Sequence, residues 1–252
     1  MRPGAGEESL PLRMQIIDRE SFASGMSEQR ARLSAALRDG MPRAGWKVGI
    51  NVPEVQSSLG LRHPGIGWID GRRVLASGAV LEAPPGARLH LEPELAIRLG
   101  RGVAAGDSPA AARAAILAIH PALEVVDYAK PADGLDAIVS HSMFHAGAVL
   151  GAPGAIAETI DLGGRWPELE VAGVSGGFPR RDLVPADLGE LIAFVASYLA
   201  AFDERLEAGD IVLSGSFLDR AMRIRAGEEA TARFGTLGEV RVRVAAAEAT
   251  RR

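Results

Sequence analysis

The chain has 252 residues, 28 Lys+Arg against 32 Asp+Glu for a formal charge of −4, and no cysteine. That excludes a polycationic nucleic-acid binder, a disulfide scaffold and any thiolate chemistry. Hydrophobic residues at 47% and charged residues at 24% match soluble globular chains, and no stretch approaches the roughly 20 apolar residues of a membrane span, so a cytoplasmic protein with no nucleic-acid or membrane partner is expected.

In chain order, Leu12, Ile16 and Ile17 start one helical face, and Ser27-Glu28-Gln29-Arg30 opens a second helix with Leu33, Ala36 and Leu37 at helix spacing. Gly40 and Pro42 end it. From Gly45 the texture changes to GWKVGI, HPGIGWIDG, VLASGAVL and LHLEPELAIRLG, whose alternation predicts strands. Ser108-Pro109 starts a helix through the Ala-rich stretch to Ile119. Pro121 stops it, and ALEVVDYA follows as a buried strand. LEVAG, after a Gly/Pro-rich middle, is a short strand. Asp187 to Leu206 is the longest amphipathic helix, closed by Gly209. Asp210 to Leu213 is then a strand ending in Ser214-Gly215-Ser216. Ala230–Phe234 and Val240–Val244 make a hairpin around GTLG, with Val240, Val242 and Val244 on one face. The organisation expected is a helical segment over 1–44 followed by a strand-rich body over 45–252.

Of the 28 basic residues only Lys47 and Lys130 are lysines. A GC-rich genome accounts for the bias, but an ammonium can be desolvated and retuned where a guanidinium cannot. Gly173-Val174-Ser175-Gly176-Gly177 fits the G-x-S-x-G of a hydrolase elbow, yet Pro179 blocks the helix that must follow and every histidine precedes Ser175. It reads as a turn. His141 and His145 have the spacing of a zinc pair on a helix, but no glutamate lies between them, and loop or core histidines are the commoner reading.

Three carboxylates remain. Glu92 and Glu94 are two apart in LHLEPELAIRL, so an extended strand points both to one face. Glu124 lies inside the apolar run ALEVVDYA. A buried carboxylate has to be protonated, paired or bound to metal, and an all-oxygen set suits Mg²⁺ or Mn²⁺. From spacing alone three unrelated glutamates on solvated faces remain the commoner outcome.

GWKVGI, followed by Gln56, Leu59-Gly60, Pro64 and Gly67, resembles the opening of the 2-keto-4-pentenoate hydratase and 4-oxalocrotonate decarboxylase group of the fumarylacetoacetate hydrolase superfamily. The order continues with Glu92-x-Glu94, Leu123-Glu124-Val-Val-Asp127, Gly147 to Gly151, and Gly209 to Ser216. The resemblance implies a mixed α/β fold, a twisted mixed sheet rolled into a barrel-like body, in a homo-oligomer. It implies Glu92, Glu94 and Glu124 as ligands of Mg²⁺ or Mn²⁺, a 2-oxo acid or 1,3-dicarbonyl substrate, a metal-stabilised enolate, and Lys47 near that anion. Asp70 falls near the family's acidic proton-transfer position, and its other reading is a turn aspartate. Ser214, Ser216 and Asp127 are expected on the substrate, with strand-end capping as the alternative for the serines. Hydration of a 2-oxo-4-enoate comes first, decarboxylation second and acylpyruvate C–C hydrolysis third. A non-catalytic relative that binds metal or a small acid is the competitor from another class. Ser142-Met143-Phe144-His145 replaces the group's Asn and Ser residues, and Tyr128-Ala129-Lys130 replaces its Arg, which implies a larger or more apolar substrate and a proton-transfer role for His145.

Overall fold

A computed structural model describes residues 20–154, 167–177 and 179–247. The expected helical start at Leu12, Ile16 and Ile17 lies outside the described residues. Glu20–Arg38 (α1) is one helix of 19 residues, the longest described, and it begins seven positions before Ser27. Phe22, Gly25, Met26, Gln29 and Leu33 form its buried stripe, and a short helix without buried residues, Pro53–Leu59 (α2), follows it in the chain. The second expectation of length also changes: Leu188–Ala200 (α5) has 13 residues, is capped by Asp187 Oδ1 on the Gly189 and Glu190 amides, and stops short of Leu206.

The main sheet is eight-stranded and mixed. Its path runs from Gly65–Asp70 (β2) through Arg43–Gly49 (β1), Ile211–Leu213 (β10), Leu89–Leu99 (β5), Ile116–Asp127 (β6) and His145–Leu150 (β7) to Val74–Ala76 (β3), with Met222–Arg223 (β11) added beside β5. The second sheet has five strands, in the order Val80–Ala83 (β4), Glu239–Ala246 (β13), Glu229–Arg233 (β12), Glu168–Val171 (β8) and Val174–Gly176 (β9). The main sheet curls, giving the mixed α/β half-barrel that the resemblance implied. On β13, Val240, Val242 and Val244 are buried while Arg241 and Arg243 face out, as their alternation predicts.

The Ala-rich helix is a correction. Pro109–Arg113 (α3) forms under the Ser108 cap, but the chain turns at Ala114 and continues as β6 straight through Pro121. Alanine's helix propensity is overridden by a ladder with β5 that runs from Leu99↔Ile116 to Leu89↔Asp127. Proline's fixed φ is compatible with extended backbone, and the Pro121 carbonyl still accepts from Gly151 N at 2.8 Å. The Gly173–Gly177 motif starts in the Ala172–Gly173 hairpin turn, both residues at positive φ, and runs on through β9.

The N-terminal helix belongs to the body it precedes, because Phe22, Met26 and Leu33 enter the same core as Leu91, Leu123 and Val212. Gly25 lets α1 lie directly on Leu135–Ser140 (α4), where a Cβ would stand 2.7 Å from Asp136 O. Buried Gln29 ties the two to the sheet, its Nε2 donating to Val139 O at 2.7 Å and Ile66 O at 3.3 Å. Gln29→Met keeps the length and removes both donors. It is expected to lower the free energy of urea unfolding by about 1–2 kcal/mol, the net value of one to two buried hydrogen bonds.

Candidate functional site

Strands β5 and β6 build the acidic centre. Their antiparallel register sets Glu92 directly opposite Glu124, and Glu94, two residues along β5, shares that face. Like charges facing each other across a ladder are destabilising, and here they are also buried: Glu94 and Glu124 are 0% exposed, while Glu92 keeps some exposure to a cavity. One carboxylate oxygen from each lies within 4.8 Å of the other two. Burial, with Glu124 as the next cause, pushes the Glu92 carboxyl up to about 7 and raises that of Glu94 well above its ordinary range.

Sheet parity brings in a cation. Lys47 pairs with Leu213, and Leu213 with Ala96, which shares the Glu92–Glu94 face of β5. Lys47, 2% exposed, sets Nζ 2.9 Å from Glu124 Oε1. Burial works against its charge, but Glu124, Glu92 and Glu94 outweigh it and hold the ammonium above its ordinary value. Burial likewise works against the Glu124 carboxylate and is outweighed by Lys47 and His145, so its carboxyl lies below the ordinary range. His145 reaches this face through a bulge: the β6–β7 register slips between Val125 and Val126, pairing His145 with Val126. Its Nδ1 is 2.8 Å from Glu124 Oε1, and burial lowers its pKa, favouring the neutral ring.

A strained segment covers these groups. Ser142, Met143 and Phe144 all have positive φ, at 52°, 48° and 68°, a conformation costly for residues with side chains. Gly49, Gly65 and Gly67 make it possible, since a Cβ on Gly67 would stand 2.7 Å from Ser142 Cβ and one on Gly49 would stand 3.0 Å from Met143 Cβ. Lys47 Nζ also lies 3.5 Å from Met143 O. Beyond the segment a cavity of about 390 Å³ opens, lined by Lys47, Glu92, Met143 and Phe144 together with Ile50, Asn51, His90, Tyr128, Ser216 and Arg220.

The remaining expected residues divide. Ser216 lines this cavity, and its Oγ accepts from Leu218 N at 3.2 Å. Ser214 Oγ accepts from Leu95 N and donates to Gly215 O, joining β10 to β5. Asp70 and Asp127 are not brought to the triad and line a second cavity. Asp70 is gripped by the Arg72 guanidinium, and Asp127 Oδ1 accepts from the Arg88 and Ala129 amides at 2.8 and 2.9 Å. His145 also lines that second cavity, standing behind Glu124. His141 caps α4, with Nδ1 2.9 Å from Ala137 O. Sequence reasoning passed over His90 and Tyr128. His90 is two residues before Glu92 and Tyr128 four after Glu124, so both keep the strand parity of the site, and their rings meet at 4.6 Å between centroids.

The donor set fits a hard divalent ion. Glu94 Oε2 accepts from Gly215 N at 2.9 Å, but Glu94 Oε1 and Glu124 Oε2 are buried with no hydrogen-bond partner among the described residues. Oxygens so placed call for a proton or a cation, and three carboxylates with open positions suit Mg²⁺ or Mn²⁺.

A family model described as the fumarylacetoacetate (FAA) hydrolase C-terminal domain matches residues 47–245. The chain is 24% identical over 221 residues to a 4-oxalocrotonate decarboxylase of a Pseudomonas species, covering 84% of this chain and 82% of that one. It is 26% identical over 233 residues to a 2-oxo-hept-4-ene-1,7-dioate hydratase of Escherichia coli, covering 85% and 84%. Among solved structures, 4-oxalocrotonate decarboxylase from Pseudomonas putida G7, complexed with magnesium and adipate, superposes with a TM-score of 0.79 at 19% identity over 93% of this chain and 90% of that one. At that identity the likeness establishes the fold.

Proposed function

The chain belongs to the fumarylacetoacetate hydrolase family, and from that premise we propose that it is a Mg²⁺- or Mn²⁺-dependent lyase acting on a 2-oxo acid, with hydration of a 2-oxo-4-enoate as its reaction. The observation that carries the reading is the buried carboxylate cluster with orphaned oxygens beside a cavity of substrate size. A relative named as a hydratase and one named as a decarboxylase support the reaction class. Glu92, Glu94 and Glu124 would hold the ion, which supplies a Lewis acid for the 2-oxo group and for the negative charge that grows there.

The chain's own residues do the rest. Lys47 keeps its proton on Nζ because Glu124 accepts from it, and so places a fixed positive charge beside the cavity. His145 Nδ1–H holds Glu124 Oε1 from behind and fixes the carboxylate's orientation. In this arrangement proton transfer falls to His90 rather than His145. Its Nδ1 is 3.0 Å from Arg88 O and carries the ring hydrogen, leaving Nε2 as the base on a ring that lines the cavity. Met143, Phe144, Ile50 and Tyr128 give the cavity an apolar wall that excludes water and takes the substrate tail.

Decarboxylation is the second reading, since it needs the same grip on a 2-oxo acid with a different leaving group. Incubation of the Mg²⁺-loaded protein with 2-hydroxypenta-2,4-dienoate, with 4-oxalocrotonate and with the 1,3-dicarbonyl acetylpyruvate separates the outcomes by mass. Addition of water is the expected result, release of CO₂ moves the assignment to the decarboxylase, and cleavage into two fragments moves it to a C–C hydrolase. Binding of all three acids with no turnover overturns the catalytic reading and leaves a non-catalytic small-acid binder.

A further inference from the structure

On the far side of the Ser142–Phe144 segment lies the second cavity, about 410 Å³ in volume and within the range of small-molecule sites. Trp68, Leu81, Leu89 and Val125 supply its apolar walls, and Lys130 and Arg73 bring two cations. Neither cation has a carboxylate partner among the described residues. Lys130 Nζ donates to the His145 carbonyl, and Arg73 Nη1 to the Ala146 carbonyl at 3.4 Å. The acids around the cavity are otherwise engaged or turned to solvent: Arg72 grips Asp70, the amides of Arg88 and Ala129 hold Asp127, and Glu82 is exposed. Burial pushes the Lys130 ammonium down to about 8, with Lys47 and Arg73 acting in the same sense and only partly opposed by the Asp127 and Glu124 carboxylates.

Two further nitrogens of this wall lack partners. Trp68 Nε1 and His145 Nε2 are buried and make no hydrogen bond among the described residues. His145 is only 6% exposed, and a nitrogen left unpaired at that depth costs about 1–3 kcal/mol. Because Glu124 accepts at Nδ1, the ring carries its hydrogen there and Nε2 is an acceptor. Trp68 Nε1–H, Lys130 and Arg73 are donors. The wall therefore asks for a ligand with acceptor oxygens for three donors and one hydrogen for an imidazole nitrogen.

We propose that this cavity is a second ligand site, distinct from the carboxylate cluster, and that it takes a small hydroxycarboxylic acid, the carboxylate on Lys130, Arg73 and Trp68 and the hydroxyl on His145 Nε2. The site does not depend on the metal reading. Its coupling to the first site does, because a ligand that draws Lys130 off the His145 carbonyl disturbs the residue that holds Glu124. By linkage, such a ligand and a ligand of the metal site change each other's affinity by the same factor.

Calorimetric titration with 3-hydroxybenzoate and 4-hydroxybenzoate tests this, on the full chain saturated with Mg²⁺ and oxalate. At least one of the two is expected to bind one molecule per chain, about tenfold more tightly than benzoate, the difference of one buried hydrogen bond. Lys130→Met and Arg73→Met should each weaken it by about tenfold or more, as loss of a charged donor does. A Glu92→Gln variant, which disables the metal site, should bind it as the metal-free, oxalate-free parent does, so failure of the metal reading leaves this result standing. No heat from either acid at millimolar concentration, displacement of the acid by oxalate in strict competition, or undiminished binding by Lys130→Met overturns the second site.

Discussion

Replacing Lys47 with methionine is expected to lower the stability of the metal-free protein by about 3–5 kcal/mol at pH 8, the cost of breaking a buried ion pair by removing one partner. Lys47 Nζ stands 2.9 Å from Glu124 Oε1, with the two side chains 2% and 0% exposed, so the pair is largely shielded from water. What remains for Glu124 is the Nδ1–H of His145. The pH dependence has a definite sign. In the parent, Lys47 and His145 hold the Glu124 carboxyl below its ordinary value of 4.5, so its contribution is present above that value and is lost as pH falls through the lower folded one. In the variant, burial acts unopposed by the ammonium and carries the carboxyl upward. The gap between parent and variant should therefore narrow towards pH 5 and widen towards pH 8. Urea unfolding at the two pH values measures it, and equal midpoints at pH 8 would sink the charge arrangement described here. Mg²⁺ should restore more stability to Lys47→Met than to the parent, since it supplies the missing positive charge, while turnover falls by a hundredfold or more, roughly the loss for removing one preorganised charge from a site.

Strand parity explains which parts of this site were legible in the sequence. Glu92 and Glu94 could be placed on one face because a strand repeats every two residues, and Glu124 stood out as a charge in an apolar run. The same rule, applied further, separates the residues that were misplaced. Asp127 is three from Glu124, so it faces away. Gly67 pairs with Lys47, so Ile69 faces the site and Asp70 does not. His90 and Tyr128, at even offsets from Glu92 and Glu124, share that parity, but a lone imidazole or phenol in a strand is common in an ordinary core and carries no signal of its own. Other features have no local signal. The bulge that sets His145 on Glu124 depends on a slip between two strands. The run of positive φ at Ser142–Phe144 depends on glycines at Gly49, Gly65 and Gly67, far away in the chain. The strand through Ala118 and Pro121 likewise exists because β5 lies beside it, against what alanine and proline favour on their own.

The second large effect separates stability from function at the triad. Glu92→Gln is expected to make the metal-free protein more stable and the metal-loaded protein less so. Burial and the facing Glu124 put the Glu92 carboxyl at about 7 against an ordinary 4.5. Between those values the folded chain holds a proton that the unfolded chain has given up. The stabilising contribution of that proton is complete below pH 4.5 and is lost as pH rises to 7, leaving a penalty on the order of 3 kcal/mol at pH 8. A neutral amide does not incur it. Unfolding free energies of variant and parent without metal should coincide near pH 5 and separate in favour of the variant at pH 8. Mg²⁺ at a thousand times its dissociation constant should then add about 4.1 kcal/mol to the parent and almost nothing to the variant, inverting the order. The inversion is the signature of carboxylates kept together for an ion rather than for the fold. If Glu92→Gln is no more stable than the parent at pH 8 without metal, or gains as much from Mg²⁺, the three carboxylates have another purpose.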